Sequence, residues 1–241
     1  MNKLIGISII VLIAFSCKKE EVFEDEIGFV SVVNAVPNSP LAVYIDTAFQ
    51  VSIPNRASTR NLQVSPGSHN ISVRDSARIK TLLALPSQEF VNGKSTTIIA
   101  YDTLHPIDST IKVIRLTDDL TLAPSGFVKV RFIHAAPRTP SVDITFLRTS
   151  VTPPDSLTFP MQSYIGFVPN DPALSAFNII PIGDYTLKIK MAGTQDTIMN
   201  TTKLSVANLA GFAGISGITT LYLGGGAQSQ PLSIGSLRHY P

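Results

Sequence analysis

The chain repeats itself once, and that repeat constrains its fold more than any other feature. Gly28-Phe29-Val30-Ser31-Val32 recurs as Gly126-Phe127-Val128-Lys129-Val130. Asn34-Ala35-Val36-Pro37-Asn38-Ser39-Pro40 recurs as His134-Ala135-Ala136-Pro137-Arg138-Thr139-Pro140. Pro66-Gly67-Ser68-His69-Asn70-Ile71-Ser72-Val73 parallels Ile182-Gly183-Asp184-Tyr185-Thr186-Leu187-Lys188-Ile189, and Thr96-Thr97-Ile98-Ile99-Ala100 parallels Thr219-Thr220-Leu221-Tyr222-Leu223. The matches keep their order while their spacing widens, so the second copy carries insertions. A period near 100 residues means tandem domains, because solenoid repeats run at roughly 20–50.

Both copies are written with period two. Tyr185, Leu187, Ile189 and Met191 alternate with Thr186, Lys188 and Lys190. Such alternation puts apolar side chains on one face of a strand and polar ones on the other. Val128, Val130 and Phe132 alternate in the same way with Lys129 and Arg131. In the first copy, strands are expected at 28–36, 41–46, 58–64, 69–74, 78–85, 95–103 and 110–116. Seven short strands punctuated by Pro, Gly and Asn predict an all-β chain of two tandem immunoglobulin-like antiparallel β-sandwiches, at 27–120 and 126–241.

Val130-Arg131-Phe132-Ile133-His134-Ala135-Ala136-Pro137 followed by Pro140-Ser141-Val142-Asp143-Ile144 resembles the opening of domain-of-unknown-function family 4397. Ile114-Arg115-Leu116-Thr117-Asp118-Asp119 is similar to that family's closing strand. The first copy departs from the pattern, with Asn34 in place of His and Val43 in place of Asp. The resemblance implies an exported β-sandwich, often in tandem and often on lipoproteins. It brings no established activity, so no catalytic residue follows from it.

The N-terminus points to a location. Lys3 precedes an apolar run from Leu4 to Phe15, then Ser16 and Cys17, the sole cysteine. The run is too short for a spanning helix, which needs about 20 residues, and suits a signal-peptide core. Residues 1–16 are therefore expected to be a signal peptide. The segment ending at Cys17 resembles the bacterial lipoprotein signal, in the loose form used by Bacteroidota. That resemblance implies acylation of Cys17, stable anchoring by several acyl chains, and an outer-membrane site. Residues 17–26 then form a flexible tether. Lys19 followed by Glu20 and Glu21 is similar to a surface-export address, which implies a cell-surface face, with the periplasmic face as the alternative.

Charge and motif searches narrow the functions. Nineteen Lys and Arg nearly balance seventeen Asp and Glu, and no basic run exceeds two residues. A nucleic-acid partner needs a concentrated positive field, so none is expected. His69, His105, His134 and His239 lack the short-range pairing of a zinc site, and no metal or cofactor is implied. His134 either hydrogen-bonds the Ala135–Pro140 corner or pairs with Asp143 as an acid/base dyad. Asp118-Asp119 reads either as a solvated turn or as a calcium ligand pair, and Ca²⁺ wants six to eight oxygens. The G-x-S-x-G nucleophile motif is absent. No catalytic residue is expected.

Residues 148–172 account for most of the second copy's extra length and are rich in Pro and aromatics. Long insertions on rigid sandwiches often carry function. Phe159, Tyr164 and Phe167 are the candidate binding residues, for a protein or glycan ligand. Alternatively 156–164 is an edge strand and the rest packs on one of the two domains. The expected function is a non-catalytic surface binding, adhesion or accessory module. A purely structural envelope spacer is the alternative, and an uncharacterised hydrolase is a third.

Overall fold

The computed structural model describes residues 26–37, 39–59, 61–102, 111–148, 151, 155–200, 204–205, 217–225 and 231–240. The expected signal peptide, Cys17 and the tether up to residue 25 lie outside the described residues.

The first half supplies eight strands: β1 (Gly28–Asn34), β2 (Leu41–Ile45), β3 (Ala48–Ile53), β4 (Leu62–Val64), β5 (Gly67–Asp75), β6 (Thr81–Phe90), β7 (Ser95–Asp102) and β8 (Ile111–Asp118). The second half supplies β9 (Phe127–His134), β10 (Val142–Arg148), β11 (Asp155–Gln162), β12 (Asn178–Pro181), β13 (Asp184–Met191), β14 (Thr197–Asn200), β15 (Leu204–Ser205), β16 (Ile218–Gly224) and β17 (Ser233–His239). A 3₁₀ turn, Pro172–Ser175, is capped by Asp171, whose carboxylate accepts the Ala173 N–H.

Strand order makes the repeat visible. The first half has sheets ordered β4-β1-β7-β8 and β3-β2-β5-β6. The second has β12-β9-β16-β17 and β11-β10-β13-β14, with β15 also on β13. The strands correspond in order, β1–β6 to β9–β14, β7 to β16 and β8 to β17, with β15 extra, so the two halves share one topology.

The chain is all β and built as two sandwiches, as expected, but three details change. The first half has eight strands where seven are expected, the additional one being β3, and the second half has nine. The immunoglobulin arrangement joins its first, second, fifth and fourth strands in one sheet; here β1 lies between β4 and β7. Nor is the pairing purely antiparallel, since β1 runs parallel to β7 and β9 to β16. A strand flanked on both sides and covered on both faces is buried almost throughout, and β1 is, from Val30 to Asn34.

Parity within each central strand assigns its two faces. Val30 and Val32 enter the first sandwich, with Val43, Ile45, Ile71 and Ile98. Val128, Val130 and Phe132 enter the second, with Ile144, Phe146, Leu187 and Leu221. The intervening residues do not face water. Val33, Ile99, Tyr101, Ile114 and Leu116 of the first half meet Ile133, Tyr222 and Leu237 of the second in a third buried cluster. Each fully buried large apolar side chain contributes about 1.5–3 kcal/mol relative to exposure, so this seam is a core in its own right. The polar partners expected on a solvent face, Lys129 and Arg131, are buried in it.

Candidate functional site

Among the described residues, the seam holds the most concentrated polar chemistry. Asp118 ends β8 on the same face as Ile114 and Leu116, and Arg131 sits in β9 on the face of Ile133. Their side chains form an ion pair at 2.8 Å, 0% and 1% exposed. Asp118 also accepts hydrogen bonds from Ser95 Oγ at 3.0 Å and Thr97 Oγ1 at 2.8 Å. Arg131 donates from Nε and Nη2 to Thr220 Oγ1 at 3.1 and 2.8 Å, and its guanidinium lies 4.4 Å from the Phe177 ring centre. The sequence readings of Asp118 as a calcium ligand or a solvated turn are both replaced by this buried pair. No group of three His, Cys, Asp or Glu suited to a metal occurs among the described residues.

His239 completes the cluster. Its Nε2 lies 2.8 Å from Thr220 Oγ1 and its Nδ1 3.7 Å from Asp118 Oδ2. Thr220 Oγ1 already accepts from Arg131, so its own proton goes to Nε2, which leaves the imidazole proton on Nδ1 facing Asp118. Nδ1 is buried without a hydrogen-bond partner. Burial, above all, pushes the His239 pKa down to about 4. The order hydroxyl, imidazole, carboxylate is that of a nucleophilic relay. Here Thr220, His239 and Asp118 are all sealed inside the seam, out of reach of any substrate. The cluster fastens one half to the other.

Cross-seam bonds continue along its length. Tyr222 donates its hydroxyl to the Arg56 carbonyl at 2.8 Å, and Arg56 Nη1 donates to Ser233 Oγ at 2.9 Å. At the junction, Lys129 Nζ bonds Asp119 at 2.7 Å. The hydrogen bond from Lys129 holds the Asp119 carboxyl down to about 2, helped by Thr121.

His134 takes the corner role and not the dyad. Its Nε2 meets the Pro140 carbonyl at 3.0 Å, and its Nδ1 accepts the Ala136 N–H at 3.2 Å. Desolvation pulls its pKa below the ordinary histidine value. Asn34 does the same work in the first half, donating to the Ser39, Ile53 and Pro54 carbonyls and accepting the Val36 N–H. Asp143 instead accepts the amides of Met161 and Gly193. Strand register also corrects its counterpart. Val43 faces Val73 and Ile144 faces Ile189, so Asp143 corresponds to Ala42, not Val43.

A second relay-like trio lies on the surface. His69 Nδ1 meets Asp46 Oδ2 at 2.8 Å, and Ser65 Oγ lies 3.3 Å from His69 Nε2. The nearer neighbour of Nε2 is the Ser65 carbonyl at 2.9 Å. A carboxylate and a carbonyl both only accept, so the two ring nitrogens face structural acceptors at closer range than the Ser65 hydroxyl. The trio braces the turn before β5.

The insertion divides the three predicted binding residues. Phe159 sits in edge strand β11 and packs edge-on against Phe146 at 5.4 Å, joining the second sandwich's core. Tyr164 is buried in the seam, with Tyr101 of the first half 6.0 Å away. Ile165 follows it inward, its N–H on the His134 carbonyl at 2.9 Å. Phe167 alone is displayed, at 76% exposure, with Met161 at 63%. Beside Met161 opens a cavity of about 160 Å³ bordered by Phe132, Met161, Ser163, Val168 and Leu174. A second, of about 350 Å³, lies where residues 169–175 pass Val113–Leu116 of β8, against the first half. No sequence signal separated Phe167 from Tyr164, because both lie in the same irregular stretch.

Register places this display. Phe29 pairs with Ser95, which pairs with Asp118, so Ile27 enters at the Asp118 end of the sheets. Ile165 is fixed to the last residue of β9, and β9 passes Arg131, the partner of Asp118, before reaching it. Phe167 and Met161 therefore sit at the end opposite the entry of the chain.

Residues 28–145 match the model of a family described as a domain of unknown function (DUF4397). The match takes in β1–β9 and ends inside β10. No curated protein matches. Among solved structures, the chain is similar to the N-terminal domain of AlgF from P. aeruginosa, with 18% identity, 39% of this chain and 95% of that chain covered, and a TM-score of 0.30. It is also similar to a leucine-rich repeat protein from Bacteroides thetaiotaomicron, with 12% identity, 73% of this chain and 24% of that chain covered, and a TM-score of 0.19.

Proposed function

We propose that this chain is a non-catalytic binding module, held at the outer membrane by acyl chains on Cys17 and facing outward. Its two sandwiches work as one stiff body that carries a contact surface away from the anchor. One observation supports this above the others: Phe167 and Met161 are exposed on an insertion whose neighbours Tyr164 and Ile165 are clamped in the seam. An aromatic held on a fixed loop contributes contact area with little ordering cost. The partner is a protein or glycan of the cell exterior. Catalysis is disfavoured because His134 and His239 are buried and committed to structural hydrogen bonds.

A spacer role is the second reading, favoured by the seam itself. A continuous apolar core with a buried ion pair is more than a spacer with a flexible joint requires, but it suits a rigid one.

The test compares four forms of the chain. Metabolic palmitate labelling of cells expressing the parent and Cys17→Ser reports the anchor; equal labelling ends that part. Protease treatment of intact cells reports the facing. Residues 27–241, carrying both sandwiches and the seam, are then used to capture partners from envelope and matrix extracts beside a Phe167→Ser/Met161→Ser variant. Identical capture by both removes the insertion as the contact surface and leaves the spacer.

A further inference from the structure

The outer face of the sheet β3-β2-β5-β6 carries a feature that none of the roles above uses. Register defines two neighbouring rows across it. One is Ser52, Ala42, Arg74 and Thr81; the other is Phe49, Tyr44, Ser72 and Ala84. The Tyr44 and Phe49 rings meet edge to face at 5.6 Å. The Arg74 guanidinium lies 4.0 Å from the Tyr44 ring centre, and that of Arg78, from the β5–β6 turn, 3.8 Å from the Phe49 ring centre.

Two guanidiniums thus sit over a pair of rings. Stacking fixes each plane while leaving its N–H edge free. Among the described residues, neither guanidinium has a carboxylate or carbonyl partner, and Arg74 Nε is buried with no hydrogen bond. The outer Nη groups of both forks are the donors a ligand would meet. Neither row contains an acid. The nearest carboxylates are engaged elsewhere: Asp46 with His69 and the Asn70 amide, Asp75 with the Ile79 and Lys80 amides. Lys80 adds a third cation beside Arg78.

We propose that this face binds an acidic polysaccharide through its carboxylate groups. A planar fork of donors matches a planar carboxylate with two parallel hydrogen bonds, which a lysine cannot reproduce. Ser52, Ser72 and Thr81 around the cations offer hydroxyls to a sugar. A protein partner would anchor apolar side chains in a pocket, and the cavities of about 160 and 350 Å³ lie elsewhere. The β5–β6 turn sits at the end far from Ile27, since Asp75 pairs with Leu41 just after the Pro40 corner. The Arg74 row therefore lies toward the end away from the anchor, within reach of soluble or matrix polymers.

The test is affinity electrophoresis of residues 27–241 in gels containing polygalacturonate, dextran or polyglutamate. Retardation by polygalacturonate alone, weakened by salt, is the expected result. Arg74→Gln/Arg78→Gln lowers that affinity by about tenfold or more, from the loss of charge-assisted hydrogen bonds. Arg74→Lys/Arg78→Lys, which keeps both charges, fails to restore it. Thermal melting of each variant shows that the fold is intact. Absence of retardation, equal retardation by dextran, or full binding by either double variant overturns the proposal. Equal retardation by polyglutamate also overturns it, in favour of acidic protein segments.

Discussion

Asp118 and Arg131 lie on different halves of the chain, thirteen positions apart, and form an ion pair at 2.8 Å that water does not reach. Removing one partner of such a pair leaves a buried charge uncompensated, a loss of about 3–5 kcal/mol. Arg131→Ala should therefore lower the urea midpoint steeply. Replacing both at once, Asp118→Leu/Arg131→Met, should recover most of the loss, because apolar side chains of similar volume suit a buried site. A double variant as unstable as the single one would show that the contribution lies in the hydrogen bonds to Thr97 and Thr220 and not in the charge pair.

Stability should fall as the solution is made more acidic than about pH 6.5. His239 has a folded pKa near 4, below its ordinary value of 6.5. Between those values the unfolded chain takes up a proton that the folded chain refuses, so acid favours unfolding. The contribution is complete above pH 6.5 and is lost as pH falls through about 4. It amounts to roughly 3 kcal/mol by linkage. His134, also lowered by desolvation, acts with the same sign. Asp119 extends the loss further, from its ordinary 3.8 toward about 2. Melting temperatures from pH 8 to pH 4 read this directly. His239→Asn should flatten the slope in that range, and an unchanged slope assigns the titration to other groups.

Much of this fold was legible in the sequence, and the parts that were not share a physical cause. The repeat motifs marked β1, β5, β7 and their counterparts because alternating apolar runs face a core. The sequence predicts a strand over 78–85, yet β6 continues past Pro86 to Phe90. It is an edge strand, where a missing N–H costs no ladder bond. β11 passes Pro160 for the same reason. The strand β3 was missed because Asp46 at φ 54° starts a two-residue turn without the usual glycine. The seam was hidden by an assumption about polar residues. Lys129, Arg131 and Asp118 occupy the face that a single sandwich shows to water, and in each case the other sandwich covers it. Their parity with Ile133, Ile114 and Leu116 was the available signal.

The two corners should be interchangeable in chemistry. Asn34 and His134 each bridge their own Pro-containing turn with a donor and an acceptor. His134→Asn should cost little, while Asn34→Ala, which strands several buried carbonyls, should cost about 1–3 kcal/mol. Urea denaturation separates the outcomes; equal losses for both would mean the corners are held by backbone alone.

Gly235 is required by a neighbour across its own sheet. A Cβ there would come within 2.2 Å of the Tyr222 ring. That ring is buried in the seam, and its hydroxyl reaches the Arg56 carbonyl. Gly235→Ala must expel the ring or bend β17, and either should lower the melting temperature as core overpacking does, by about 1–3 kcal/mol. The companion Tyr222→Phe removes only the hydroxyl and should cost less. If Gly235→Ala melts like the parent, the ring has room the structure does not indicate.

The insertion gives the sharpest contrast, because two aromatics three positions apart have opposite roles. Tyr164 fills the seam between Tyr101 and His134, and its ring also meets Phe167 edge-on at 5.4 Å. Truncating a buried aromatic to alanine leaves a cavity and costs about 3–5 kcal/mol. Phe167 is mostly in water, so Phe167→Ala should change stability by about 0.5 kcal/mol or less. Binding should reverse the ranking: Phe167→Ala weakens capture of an exterior partner while the melting curve stays put. Tyr164→Ala should lower the melting temperature whether or not a partner is present. Were Phe167→Ala to melt as early as Tyr164→Ala, the exposed ring would be part of the seam, and the insertion would be a wedge between the halves and nothing more.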